Sequence, residues 1–159
     1  MSEFRVEKRR AEAELTLSSG GLLQGWFFLS GSSANHTGPE RVADVLNAEG
    51  GFFPFQVPAT ARPDTVLINR PHLISVRLLE QTTEARLDPG YDLAAVHQVE
   101  MLLSNGEMLS GSVRIGRPHG RDRLSDYARS GDMFRYVENE EGAFVVNYAH
   151  IVQLREILT

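Results

Sequence analysis

An arginine-rich segment, residues 114–123, has the residue types best suited to binding a ligand. It holds Arg114, Arg117, Arg121 and Arg123 beside a single aspartate. A guanidinium presents a planar fork of N–H donors, which suits phosphates and carboxylates. The segment therefore predicts a site for an acidic protein, a nucleotide or a nucleic-acid backbone. The alternative is a solvated loop whose arginines pair with nearby carboxylates.

The pattern Asn-x-x-His occurs twice, at Asn69 and His72 and again at Asn147 and His150. Two equivalent histidines would suit metal ligation or general-base chemistry. We favour a structural role, in which the asparagine caps a tight turn between strands and the histidine bonds to backbone carbonyls beside it. The five histidines of the chain include no His-Glu-x-x-His pair and no cluster with carboxylates, so no metal site is predicted.

Short catalytic motifs are missing from the sequence. It contains no Gly-x-Ser-x-Gly nucleophile turn, no Gly-x-x-x-x-Gly-Lys phosphate loop and no Gly-x-Gly-x-x-Gly dinucleotide motif. The Gly- and Ser-rich segment 30–38 has no lysine or arginine, and it predicts a plain loop rather than an anion cradle. We therefore expect a protein that is not an enzyme and needs no cofactor.

Composition and charge bound the class of protein. The chain of 159 residues is 42% apolar and 23% charged, which predicts one ordinary globular domain or two small ones. Its net charge of −5 argues against a general attraction to nucleic acid or anionic lipid. The sequence has no apolar run long enough for a transmembrane helix, no visible hydrophobic leader and no cysteine. We therefore expect a cytoplasmic protein with no membrane partner.

Internal repetition is the strongest signal in the sequence. Three blocks recur in the same order, and 11 of 37 aligned positions are identical, where average composition gives roughly 2 or 3 by chance. The aligned blocks are 13–29 with 99–115, 41–47 with 123–129, and 65–77 with 143–155. A duplicated domain is therefore predicted. Its parts are a first copy at 1–80, a linker at 81–94 and a second copy at 95–159.

Each copy reads as a small, mainly β domain of the α+β type. The first block predicts a hairpin, because apolar and polar residues alternate on either side of a glycine-containing turn. A mid-strand glycine, Gly25 or Gly111, predicts a bend or a close approach of two backbones. A short helix follows the second strand, and further strands bring the total to about five. Those further strands are Phe52–Val57, 66–68 and Leu73–Leu78 in the first copy, with 133–137, 144–146 and 151–154 in the second.

Two expectations concern how the copies are arranged. Pro54 and Pro58 place the strand Phe52–Val57 at a sheet edge or a bulge, because proline has no N–H to donate. Each copy is marginal in size for an isolated domain, so we expect the two to pack through an apolar face about a pseudo-twofold axis. The main aromatic residues of the first copy would either anchor that interface or fill their own core. They are Trp26, Phe52, Phe53 and Phe55.

The strand–Asn-Gly–strand pattern resembles the Sm-like small barrels of the SH3-like class. The similarity lies in Leu-Ser-Asn-Gly at 103–106, Leu-Ser-Gly-Ser-Val at 109–113 and Val-Asn-Tyr-Ala-His-Ile-Val at 146–152. The last segment is similar to the Lys-His turn of the bacterial Sm-like RNA chaperone, although Pro71 and Ala149 stand where lysine would be. The whole layout also resembles uncharacterised bacterial small-barrel proteins with an Asn-x-x-His-Ile-Val repeat ending. The resemblance implies two tandem small barrels, each with a helix inserted after its second strand, and it brings no activity.

These features predict a non-enzymatic binding or assembly module that acts through protein–protein contacts. It would meet a protein partner, or further copies of itself, through barrel edges or apolar faces. The alternative is binding of nucleic acid or a nucleotide, including a cyclic one, through the arginine-rich segment. Residues 5–10 are similar to the Arg-x-x-x-Arg motif of PilZ domains, which bind a cyclic dinucleotide. The second PilZ motif does not occur at 29–33, so a basic N-terminal arm is the simpler interpretation.

Overall fold

The protein is mainly β, as expected, with ten antiparallel strands in one open sheet. The computed structural model describes residues 8–31, 33, 38–79, 84–87, 90–115, 123–129 and 131–158. The strands of the first half are β1 (Lys8–Leu17), β2 (Leu22–Ser30), β3 (Phe52–Val57), β4 (Asp64–Asn69) and β5 (Leu73–Leu78). The strands of the second half are β6 (Ala95–Leu103), β7 (Met108–Ile115), β8 (Phe134–Asn139), β9 (Gly142–Asn147) and β10 (Ile151–Glu156).

Short helices interrupt the strands at the same places in both halves. A six-residue helix follows the second strand of each half, α1 (Val42–Asn47) and α2 (Leu124–Arg129). A 3₁₀ turn joins the last two strands of each half, Arg70–His72 and Tyr148–His150. The elements of residues 8–78 and 95–156 therefore occur in one common order. Among the described residues, no helix has the length and apolar character needed to cross a membrane.

The strand order shows how the two halves are joined. It runs β10-β6-β7-β8-β9-β5-β1-β2-β3-β4, so each half arranges its own strands as fifth, first, second, third and fourth. The halves meet where β5, the fifth strand of the first half, pairs with β9, the fourth strand of the second. A twofold relation would bring the same surface of each half together, whereas this contact is head-to-tail. The expected pseudo-twofold arrangement is therefore wrong.

The sheet is continuous across both halves and does not close. Its two ends are β4 and β10, and β5 and β9 lie side by side in its interior. The structure therefore has one open sheet, where the sequence suggested two separate closed barrels. The reason lies in the pairing itself, because β5 and β9 use their free backbone groups on each other.

Glycine allows close backbone approach in the second strand of each half, as the sequence predicted. A Cβ atom at Gly25 would lie 2.0 Å from the carbonyl oxygen of Gln56, and one at Gly111 would lie 2.6 Å from that of Glu138. Either distance is a steric clash with backbone, so any side chain there would push β3 or β8 away. Gly20 makes the first hairpin turn at φ 95°, a conformation that glycine adopts without strain.

The expected edge position of β3 is wrong, although proline does shorten its pairing. β3 lies between β2 and β4, and it pairs with β4 along its full length. Its pairing with β2 covers only Phe55 and Gln56. The ladder stops short of Pro54, whose ring nitrogen has no hydrogen to donate.

The core consists of two apolar clusters that exchange residues between the halves. Phe53 and Phe55 are buried in the first cluster and pack against Phe27, with ring centroids 5.5 and 5.1 Å apart. These two aromatic residues therefore fill their own core, which is one of the two predicted roles. Trp26 is half-buried with the Arg10 guanidinium over its ring, and Phe52 is exposed.

The segment between the halves is bound to both of them. Glu84 accepts hydrogen bonds from the N–H groups of Val42 and Ala43 at the start of α1, at 3.0 and 3.1 Å. The same carboxylate accepts the hydroxyl of Tyr136 in β8, at 2.8 Å. Neighbouring Ala85 is buried. Residues 84–87 are thus a structural tie between the halves, beyond the simple linker that the composition predicted.

Candidate interaction site at the sheet junction and the sheet edges

The junction between the halves, formed by β5 and β9, has a buried apolar centre. Val76 lies opposite Val145, and neither side chain is exposed to solvent. Ile74 of the first half is part of the second half's apolar cluster. In return, Phe134 and Val145 of the second half belong to the first half's cluster. The junction is therefore a fragment of core shared by both halves.

Polar side chains of the second half fix the register of this junction. Asn147 is 2% exposed, and its Nδ2 donates a hydrogen bond to the Leu73 carbonyl at 2.9 Å. Its Oδ1 accepts the N–H of Ala149 at 3.0 Å. The His150 ring has Nε2 2.6 Å from the Pro71 carbonyl oxygen and Nδ1 2.7 Å from the Ser104 hydroxyl. A carbonyl only accepts, so Nε2 donates this hydrogen bond to Pro71.

A further contact crosses the junction from α1. The Asn47 side chain donates to the carbonyl of Phe134 at 3.0 Å and accepts from the N–H of the same residue at 2.9 Å. Both backbone groups belong to a residue that is 4% exposed. Such buried groups are costly to leave without partners, so this pair of bonds ties α1 firmly to the second half.

The two ends of the sheet carry the strand positions that form the junction. β4 corresponds to β9 in element order, and β10 corresponds to β5. Among the residues that the structure describes, no strand pairs with the outer side of β4 or of β10. We call these sides the β4 edge and the β10 edge. Each presents unpaired backbone N–H and C=O groups to which a strand can be added.

Large apolar side chains are exposed at these edges where their junction counterparts are buried. Leu67 on β4 is 65% exposed, whereas its counterpart Val145 is fully buried. Val152 on β10 is 66% exposed, whereas its counterpart Ile74 is 1% exposed. Phe52, which lies opposite Asn69, is 60% exposed, whereas Phe134, which lies opposite Asn147, is 4% exposed.

The first copy of the Asn-x-x-His pattern lies beside the β4 edge. His72 Nδ1 is 2.9 Å from the Ser18 hydroxyl, which matches the contact between His150 and Ser104. No described residue bonds to His72 Nε2 or to the side chain of Asn69. Pro71 explains part of this difference, because it has no N–H to give Asn69 where Ala149 gives one to Asn147.

The arginine-rich segment is only partly within the described residues. Arg114 places its guanidinium 3.7 Å from the centre of the Tyr91 ring and donates to the Tyr91 carbonyl at 2.9 Å. Arg123 is exposed next to α2. Arg117 and Arg121 lie outside the described residues. The described residues therefore do not test whether the four arginines form one site, and nucleic-acid or nucleotide binding there stays a prediction.

A cavity of about 380 Å³ lies between α1, β7, β8 and α2. Its charged lining consists of Arg114, Arg135, Asp132 and Glu138, so the charges of the two signs balance. The Arg135 guanidinium donates to the carbonyls of Tyr127 and Asp132 and stacks on the ring of Tyr127. Arg114 and Glu138 bond to Tyr91, so three of these four charged groups are engaged by the protein itself.

Arg135 has a counterpart of the same function at a different sequence position. In the first half, Arg70 donates to the carbonyls of Val45 and Gly50 and stacks on the Phe53 ring. In both halves, therefore, one guanidinium holds the carbonyls between the helix and the next strand.

Burial raises the pKa of the Tyr127 phenol above its ordinary value, because the charged form would lose solvation. Within the described part of the chain, no group of three His, Cys, Asp or Glu residues could hold a metal ion.

Sequence reasoning missed the residues that join the halves. Asn47, Ile74 and Phe134 were treated as ordinary helix or strand residues, and Glu84 as part of a linker. The available signal was the repeat alignment, which pairs Leu67 with Val145. Phe52 and Phe134 are matched by the structure, where each lies opposite the asparagine of its Asn-x-x-His pattern. Apolar residues at matching positions become informative only when one copy is buried and the other is exposed, and that requires the structure.

Neither a scan against protein-family models nor searches of curated proteins and of solved structures gives a match to this chain.

Proposed function

We propose that the protein is a non-enzymatic assembly module that binds partner strands at its β4 and β10 edges. In this proposal each half is a five-stranded small-barrel unit of the Sm-like type, and the two units are joined edge to edge. One observation carries the proposal. The strand positions that build the buried junction recur at both ends of the sheet, with exposed apolar side chains and with no pairing strand among the described residues.

Physical chemistry favours this use of the edges. An exposed edge strand offers a row of backbone hydrogen-bonding groups, and addition of a partner strand satisfies them. Many proteins protect such edges with inward-pointing charges, bulges or covering loops. Here the pairing of β10 with β6 has an irregularity at Val152, but that of β5 with β1 has one at Ile74 and β5 still pairs with β9. The side chains at Leu67 and Val152 are apolar and about two-thirds exposed. Burying apolar area of this kind stabilises an added strand by roughly 25 cal/mol per Å².

The experiment is affinity capture from an extract of the cells that make the protein. Four baits are compared, namely the unaltered chain, Leu67→Glu on the β4 edge, Val152→Glu on the β10 edge, and Leu22→Glu as a control. Leu22 is 66% exposed on β2, which lies in the interior of the sheet and forms neither edge. All three altered side chains are exposed, and circular dichroism checks that each variant folds.

The expected result is a partner protein that the unaltered chain and Leu22→Glu capture but that at least one edge variant loses. Capture that survives both edge variants would contradict the proposal. Each capture is repeated after nuclease treatment. Two results together would instead support nucleic-acid binding by the arginine-rich segment. Nuclease would release the captured material, and the double variant Arg117→Ala/Arg121→Ala would no longer capture it.

A further inference from the structure

We infer that the partner at these edges is a second copy of the same chain, seated with its β4 edge on the β10 edge of the first. The inference rests on the proposed function and specifies its partner. The junction inside the chain supplies the template, because it already joins a fifth strand to a fourth strand. A contact of the same kind between chains would continue the sheet in the same direction.

The internal register predicts the register between chains. Inside the chain, Ser75 lies opposite Val146 and Val76 opposite Val145. The matching edge positions place Gln153 opposite Ile68 of the second copy and Leu154 opposite its Leu67. The contact is antiparallel, as it is in the junction.

Apolar burial at this interface follows the junction as well. Ile74 enters the neighbouring cluster inside the chain, so Val152 would enter the first cluster of the second copy. Phe134 and Val145 enter the first half's cluster, so Phe52 and Leu67 of the second copy would cover the second cluster of the first copy. The three side chains that are exposed in the isolated chain, by 60% for Phe52, 65% for Leu67 and 66% for Val152, would all become buried.

Polar groups at the β4 edge that have no partner within the described part of the chain match acceptors at the β10 edge. Asn147 donates to the Leu73 carbonyl, so Asn69 of the second copy would donate to the carbonyl of Ile151. His150 bonds through Nε2 to the Pro71 carbonyl, so His72 of the second copy would bond to that of Ala149. The Asn-x-x-His pattern is then an interface signature, and both of its copies are in use.

The interface between chains would differ from the junction in one contact. Asn47 bonds to both backbone groups of Phe134 inside the chain. The matching helix position of the second half is Arg129, which cannot both donate and accept in this way. The contact between chains would therefore be weaker than the junction, and its extent would depend on protein concentration.

The experiment measures association of the purified full-length chain by sedimentation velocity and native mass spectrometry over a range of concentrations. The unaltered chain of 17.7 kDa should form multiples of its mass, and Leu22→Glu should behave in the same way. Leu67→Glu alone and Val152→Glu alone should each remain monomeric at concentrations where the unaltered chain associates. A mixture of the two variants should form a one-to-one heterodimer, because each supplies the edge that the other has lost.

Asn69→Ala tests the polar part of the interface without adding a charge. It should weaken association by about tenfold, the effect of losing roughly one hydrogen bond. Circular dichroism and the unfolding midpoint should stay close to those of the unaltered chain.

Three results would overturn the inference. The first is a chain that stays monomeric at every concentration. If that chain still captures another protein through its edges, the proposed function stands and only its partner is different; if it captures nothing, both fail. The second is dimerisation of either edge variant alone, which would show a twofold contact. The third is association that neither edge variant changes.

Discussion

Replacing Asn147 with alanine should destabilise the fold far more than replacing Asn69, although each asparagine is the first residue of an Asn-x-x-His pattern. Asn147→Ala removes the bond to the Leu73 carbonyl at 2.9 Å and the bond from the Ala149 N–H at 3.0 Å, in a site that is 2% exposed. The buried Leu73 carbonyl costs about 1–3 kcal/mol when left without a partner, and loss of the bond from the exposed Ala149 adds about 0.5–1.5 kcal/mol, so a total of about 2–4 kcal/mol is expected. Asn69 makes no such bond within the described chain, and Asn69→Ala should cost less than about 1 kcal/mol.

Urea unfolding at a protein concentration too low for association measures this difference. The fluorescence of Trp26, the single tryptophan, reports on the first half, and far-ultraviolet circular dichroism reports on the whole sheet. With a slope of about 2 kcal/mol per M, the midpoint of Asn147→Ala should fall by about 1–2 M and that of Asn69→Ala by less than about 0.5 M. Equal shifts for the two variants would refute the reasoning, because they would mean that Asn147 contributes no more at the junction than Asn69 does at the edge.

Three further predictions concern the framework around the junction. Gly25→Ala should lower the free energy of unfolding by about 3 kcal/mol or more, and Gly111→Ala should lower it by less. The added Cβ would lie 2.0 Å from a backbone oxygen at Gly25 and 2.6 Å from one at Gly111. Chemical denaturation that ranked the two variants in the reverse order would contradict this. Glu84→Ala should lower the free energy of unfolding by about 2 kcal/mol, because two backbone N–H groups of α1 and the Tyr136 hydroxyl lose their acceptor. A thermal unfolding midpoint equal to that of the unaltered protein would show that Glu84 does not tie the halves together. Burial raises the pKa of the Tyr127 phenol above its ordinary value of 10.0. Below that value the folded and unfolded states both keep the proton; above it only the unfolded state loses the proton, so the free energy of unfolding should fall until the folded-state pKa is reached. When stability is measured from about pH 8 to about pH 11, Tyr127→Phe should show a smaller alkaline loss, and an identical loss in that variant would exclude Tyr127 as its source.

Residue pairs that are identical in both repeat copies turn out to mark local contacts. Glu14 lies across from Arg77 on paired strands, and Glu100 lies across from Arg155, with a 2.8 Å ion pair in the second half. Arg41 and Asp44 cap α1, since the Asp44 carboxylate accepts the Arg41 N–H at 2.8 Å. Such contacts depend on residues a few positions apart or on one strand pairing, and a sequence alignment can therefore indicate them.

Arg70 and Arg135 show a correspondence between the halves that the sequence alignment does not predict. Each guanidinium holds the backbone between helix and third strand in its own half. The two arginines do not align, because the chain delivers the same group to the same carbonyls from different strands. An alignment compares positions, whereas the hydrogen bonds require only that the guanidinium arrive at the right place.

The sequence by itself determined the elements and their order within each half. Alternating apolar residues, turn glycines such as Gly20 and Gly106, and the short helical spacing are local properties that act through backbone conformation and burial of one face. Only the tertiary structure decided which edges meet. Within each half taken alone, the fourth and the fifth strand each have one side without a partner, and no short segment specifies which of these sides will pair. For that reason Asn69 and Asn147 share one local pattern, yet Asn147 is buried in the junction and Asn69 lies at the open edge.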